Sequence, residues 1–168
     1  MADIKTAYGA SIQFTMTSLA SLPSDGLFVT GATSTAVDNT STKYIDALVG
    51  GKISVGSGVT TNRQIEVWVY GNVDDTPTYP DTINGVDGVR TLSSAGTKAA
   101  TLKLLSIIPT TGTNNAGYYF GPNSVASLFG GHLPKYWGLA VFQNTNAALN
   151  SSGASHNISY TPLYETVS

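Results

Sequence analysis

Ile65-Glu66-Val67-Trp68-Val69-Tyr70 is the stretch on which the fold turns. Its period is two, so Ile65, Val67 and Val69 share one face of an extended segment while Glu66, Trp68 and Tyr70 share the other. β-branched and aromatic residues at that spacing predict a strand with a buried face. The second face is largely aromatic, which predicts that it too is covered, inside a two-sheet core or against a neighbouring chain. The same alternation recurs on both sides. Ile12, Phe14 and Met16 alternate with Gln13, Thr15 and Thr17, and Leu22-Pro23-Ser24-Asp25-Gly26 supplies turn chemistry. Tyr44–Val55 reads as a long strand in which Gly50-Gly51 forms a bulge or bend. Ala99–Ile108 reads as a strand ended by Pro109, and Tyr136–Asn144, after Pro134, as a buried central strand. His156, Ile158, Tyr160, Pro162 and Tyr164 alternate with polar neighbours. Pro162 lacks an N–H for a ladder, which places this strand at a sheet edge. Helical character is confined to Ser124–Phe129, stopped by Gly130-Gly131.

Strands separated by turn-rich stretches, without alternating helices or a repeat, predict an antiparallel β-sandwich, jelly-roll-like, with one short helical turn. The 168 residues make one such domain, residues 12–168. Residues 1–11 precede the first clear strand without a core-facing pattern and are expected to form an N-terminal arm onto a neighbouring subunit. A chain of this length buries roughly two thirds of its unfolded surface without a disulfide or metal staple. The absence of cysteine excludes thiol catalysis, Cys-ligated zinc and Fe–S clusters. A net charge of −2, with eight scattered Lys and Arg, argues against nucleic-acid binding. No apolar stretch approaches the ~20 residues of a membrane span, and Met1-Ala2-Asp3-Ile4-Lys5 has no apolar signal core. Charged residues are 11 % of the chain, against about a quarter in ordinary soluble domains. A surface of Ser, Thr, Asn and Tyr suits packing against other proteins, where each desolvated charge needs a partner, and equally a secreted β-domain with a neutral surface; composition does not separate the two.

Chemistry-bearing residues are sparse. Asp74, Asp75, Asp81 and Asp87 lie on the longest non-periodic stretch, Gly71–Arg90. Four Asp on a loop invite a calcium reading, yet the spacing matches no EF-hand and Pro77 and Pro80 stiffen the loop away from a compact cage. A glycosidase needs two carboxyls held about 5–10 Å apart across a cleft, and nothing in the sequence marks such a pair. His132 and His156 sit in unrelated contexts, and no Gly-x-Ser-x-Gly accompanies them. The expectation is therefore a non-enzyme that uses no cofactor and no metal. Asn39-Thr40-Ser41, Asn150-Ser151-Ser152 and Asn157-Ile158-Ser159 match the glycosylation pattern, as chance allows in so Asn-, Ser- and Thr-rich a chain. The aromatic residues suit core and interface packing, or stacking on sugars. Tyr8, Trp68, Tyr70, Tyr118, Tyr119 and Phe120 are the candidate interface residues.

Three blocks carry a family resemblance: Met1–Ser11; Ser34-Thr35-Ala36-Val37-Asp38-Asn39-Thr40 with Tyr44-Ile45-Asp46-Ala47-Leu48-Val49; and Gly130-Gly131-His132-Leu133-Pro134-Lys135-Tyr136-Trp137-Gly138 running into Val141–Thr145 and Leu149. Together they resemble small virion structural proteins of tailed phages. The resemblance implies a β-sandwich virion component of the capsid decoration (cement) type. It further implies contact with the major capsid protein or other virion proteins, homotrimeric placement, and residence in the virion after assembly in the host cytoplasm. The alternative, prompted by the Tyr and Trp content, is a glycan-binding module on a tail or fibre. The Asp74–Asp87 loop has no counterpart in the resemblance.

Overall fold

The computed structural model describes residues 3–167, and within them the alternating segments form two antiparallel sheets. One sheet runs in the order β1 (Ile4–Tyr8), β11 (Asn157–Val167), β5 (Asp46–Ser54), β9 (Gly117–Ser124), with β2 (Ile12–Gln13) also on β11. The other runs β7 (Gly88–Thr91), β3 (Thr30–Thr33), β10 (Tyr136–Gln143), β6 (Thr61–Asn72), β8 (Lys103–Thr111), with β4 (Val37–Asp38) beside β10. The pairing is nested: β1 with β11, β3 with β10, β5 with β9 and β6 with β8. That nesting, folded across two sheets, is the jelly roll. β7 and helix α1 (Ala95–Thr101) belong to an insertion between β6 and β8.

The inner core forms where alternation predicts it. Ile65, Val67 and Val69 of β6 and Trp137, Leu139 and Val141 of β10 face Val49 and Ile53 of β5 and Ile158 and Tyr160 of β11. Phe14, Trp137 and Tyr160 pack as a mutual triplet with ring centroids 5.1–5.5 Å apart. A second core lies on the outer face of the second sheet. There Tyr70, Ala140 and Phe142 meet Ile83, Leu92 and Leu102 of the β6–β8 insertion. Gly138 makes this layer possible, because a Cβ at that position would run into the Tyr70 ring. The aromatic face of β6 is thus covered by the chain's own insertion, outside the two-sheet core, with Tyr70 fully buried and Trp68 half-buried.

Four sequence expectations are corrected. Ala95–Thr101 is helical, N-capped by Ser94, whose hydroxyl accepts from Thr97 N–H at 3.0 Å; a strand drawn from Ala99 starts too early. β8 continues through Pro109 to Thr111. It is an edge strand, and Pro109 faces Gln64, whose own carbonyl accepts from Asn144, so the missing N–H points to solvent. β11 is interior, with Pro162 between β5 and the β1/β2 line. The Pro162 carbonyl accepts from Gly9 N–H at 2.8 Å, so its missing N–H faces the break between β1 and β2, where no ladder bond is lost. Residues 4–8 are likewise no free arm: β1 pairs with Leu163–Val167 over its whole length. Met1 and Ala2, the rest of that expected arm's start, lie outside the described residues. Among the described residues no helix is long and apolar enough to cross a membrane.

Candidate functional site

The outer face of the first sheet carries the most accessible aromatic surface. Alternation places Tyr8 of β1, Ser159 and Thr161 of β11, Leu48 of β5 and Tyr119 of β9 on that side, around a groove of about 420 Å³. Its floor is backbone. β5 slips register against β9 between Val49 and Gly51, and Gly50 and Gly51 offer no side chains there. Gly51 holds φ at +157° with the Asn157 carbonyl where a Cβ would stand, so no other residue fits. Tyr8 and Tyr119, 67 % and 76 % exposed, stand on either side of the glycine floor. Pro122 closes the β9 side, and Lys52 sits directly across from Tyr119. Asp46, on the same sheet, is occupied internally: its carboxylate accepts from Ser124 Oγ at 2.7 Å and from Ala126 N–H at 2.8 Å.

Of the six residues expected at an interface, only Tyr8 and Tyr119 share this face in the open. Phe120 is buried in the inner core and borders the groove through its backbone. Tyr118 points inward, and its oxygen accepts from Thr111 N–H at 3.0 Å. Trp68 and Tyr70 lie on the opposite sheet. Tyr70 is fully buried and donates to the Ser34 carbonyl at 2.8 Å, and burial raises its phenol well above the ordinary range. Trp68 is half-buried and donates through Nε1 to Glu66 at 2.8 Å. Tyr70 and Phe120 are therefore removed from the interface set, because their own chain already encloses them. Composition missed Ile4 and Val167, 69 % and 72 % exposed, which are direct cross-strand partners at the far end of β1 from Tyr8, with Thr6 and Glu165 between on the same face. Their signal was the period of Ile4, Thr6 and Tyr8, visible once the segment is read as a strand.

The aspartate loop is built as a cover. Asp87 accepts from Thr17 N–H at 2.6 Å and Ser18 N–H at 3.1 Å and from both hydroxyls. Partial burial would raise its carboxyl, but those hydrogen bonds outweigh it and hold it below the usual range. Asp81 accepts from Ser93 N–H at 2.6 Å, and Asp75 pairs with Lys135 at 2.7 Å. Each carboxylate serves a different partner, and among the described residues no three His, Asp or Glu come together as metal ligands.

The two histidines also stay apart. His132 is exposed on its loop. His156 is buried, accepts from Ser54 N–H through Nδ1 at 3.3 Å and, with the proton thereby on Nε2, donates to the Asn150 carbonyl at 2.9 Å. Desolvation lowers its pKa, so it is a neutral strut between β5 and the 150–156 turn.

No protein-family model, curated protein or solved structure matches the chain. The outer face described above is accordingly the basis for a functional reading.

Proposed function

We propose that this protein is a non-enzymatic structural component of a tailed-phage virion, a capsid decoration protein that docks on the major capsid protein or another virion protein and stabilises the head shell. The observation that carries the reading is the outer face of the first sheet. Tyr8 and Tyr119 project on either side of a floor held open by glycine, and Ile4 and Val167 extend the apolar surface further along the β1–β11 ribbon. Exposed aromatic anchors on a sheet with few charges, Lys52 and Glu165 among them, form the kind of patch that buries well against protein. The low charge of the whole chain supports the same reading, as does the resemblance of its three sequence blocks to virion proteins. Mass spectrometry of purified particles should find the protein, and added protein should co-sediment with particles that lack it. Tyr119→Ala should lower occupancy at least tenfold, the roughly 1.4 kcal/mol loss of a modest anchor, while leaving the fold intact. Absence from particles ends the proposal.

A second reading, a glycan-binding module on a tail or fibre, is favoured by one feature: the Ser159 and Thr161 hydroxyl positions lie between two exposed tyrosines. A sugar ring can stack on such rings and hydrogen-bond between them. Reproducible glycan-array hits that vanish with Tyr119→Ala would choose this reading over the first.

A further inference from the structure

Four strands end the two sheets, and three of them are protected against pairing with another chain. β8 contains Pro109, β9 contains Pro122, and β7 is four residues long. Proline and brevity are the ordinary means by which natural sheets blunt an edge. The fourth edge, β1, has no proline, no bulge and no covering loop. β1 also stands clear of the sandwich. β5 reaches only as far as Leu163, so beyond it β1 and the end of β11 form a two-stranded ribbon, almost wholly exposed. Such a ribbon is marginal in water without a third strand or a partner.

We infer that β1 is a self-pairing edge, and that two copies of this chain join antiparallel through it about a twofold axis at Thr6. The backbone parity selects the register. Gly9 donates to Pro162, and Leu163 accepts from Ile45 on its far side, so Ile4, Thr6 and Tyr8 direct their N–H and C=O groups away from β11. Pairing Thr6 with Thr6 of the second copy sets Ile4 opposite Tyr8, and each of these pairs exchanges both of its hydrogen bonds. Side chains agree with the backbone. The exposed residues Ile4, Tyr8 and Val167 lie on one face of the ribbon. The twofold aligns Val167 and Ile4 of one copy with Tyr8 and Leu163 of the other in a continuous apolar row across four strands. No charge opposes the pairing: Lys5, the one charged residue of β1, comes opposite Ala7, and the two Glu165 side chains are separated by both β1 strands. The two first sheets then continue into one another, and the Tyr8–Tyr119 grooves of both copies share a single surface. This dimer does not depend on the virion reading, and it replaces the three-fold arrangement implied by the resemblance.

Sedimentation velocity of the full chain at micromolar concentration tests it, with a dimer expected. Thr6→Pro removes an outward N–H while leaving the bonds from Lys5, Ala7 and Gly9 to β11 in place. This variant should keep the wild-type circular dichroism and sediment as a monomer. Because the chain has no cysteine, Thr6→Cys adds a single thiol at the axis, where Cα atoms of a hydrogen-bonded pair stand about 5.5 Å apart, within disulfide reach. Oxidation should link Thr6→Cys chains in pairs. Thr166→Cys, whose copies would lie about 16 Å apart, should remain unlinked. A monomeric or trimeric wild type overturns the inference, and so does a dimer that survives Thr6→Pro without Thr6→Cys cross-linking.

Discussion

His156 shows how a residue with catalytic reputation becomes a strut. Its ring spans Ser54 and Asn150, and burial penalises the imidazolium. The folded state therefore binds a proton less readily than the unfolded chain, whose imidazole titrates near pH 6.5. The unfolded state takes up more protons as pH falls, so the stability held above about pH 6.5 is progressively lost below it. The urea midpoint is expected to fall between about pH 7 and pH 5, and His156→Gln to flatten that slope. An unchanged slope in the variant would remove His156 from the account. Carboxylates held low by hydrogen bonds, such as Asp87 and Asp25, contribute in a separate window, near and below about pH 4. From sequence both histidines read as hydrogen-bonded surface or loop residues; His132 is exposed on its loop, whereas His156 is buried. The Ser54 partner was not legible, since it lies 102 residues away and is set by the meeting of β5 with the end of the chain.

At the scale of elements, the insertion between β6 and β8 is held by a charge in an aromatic box. Lys98 of α1 is buried, with Nζ 2.8 Å from Glu66 of β6 and 4.6–5.1 Å from the ring centroids of Phe28, Trp68 and Phe142. Glu66 also accepts from Trp68 Nε1 and Gln64 Nε2, so its carboxylate is well supplied with donors. Removing one partner of such a pair strands the other charge. Glu66→Leu should cost about 3–5 kcal/mol in chemical unfolding, whereas Glu66→Leu combined with Lys98→Met should recover most of it. Equal losses in the single and double variants would contradict that account. The helix itself escaped sequence reading because its seven residues, Ala-Gly-Thr-Lys-Ala-Ala-Thr, abut the true strand and share its small and β-branched composition. Its Ser94 cap was present in the sequence, but alternation cannot mark the join. β1 was missed for the opposite reason: it is exposed on both faces, and the alternation of Ile4, Thr6 and Tyr8 spans only five residues. Pro162 misled because the edge rule concerns an N–H that must pair, and here the neighbouring line breaks where that N–H would have been.

Across the whole molecule, the sandwich was legible from period-two burial, while the nested jelly-roll order depends on pairings between distant segments that no local pattern encodes. That nesting has a consequence for cooperativity. β6 and β10 serve both cores at once: Val69 faces inward and Tyr70 outward, as do Val141 and Phe142. Neither core can open without stripping one face of the same two strands, so the insertion and the sandwich should melt together. The chain's two tryptophans report the layers separately, since Trp137 lies in the inner core and Trp68 packs against the outer one. Trp68→Phe leaves fluorescence from the inner core, and Trp137→Phe leaves it from the outer. In each variant the fluorescence transition in urea should coincide with its own circular dichroism transition, even though Trp137→Phe lowers the midpoint by creating space in the core. If Trp68 fluorescence changed at lower urea than the β-sheet signal, the insertion would be a separately unfolding lid. Coincidence in both variants makes β6 and β10 the common wall through which the outer core and the inner core share one stability.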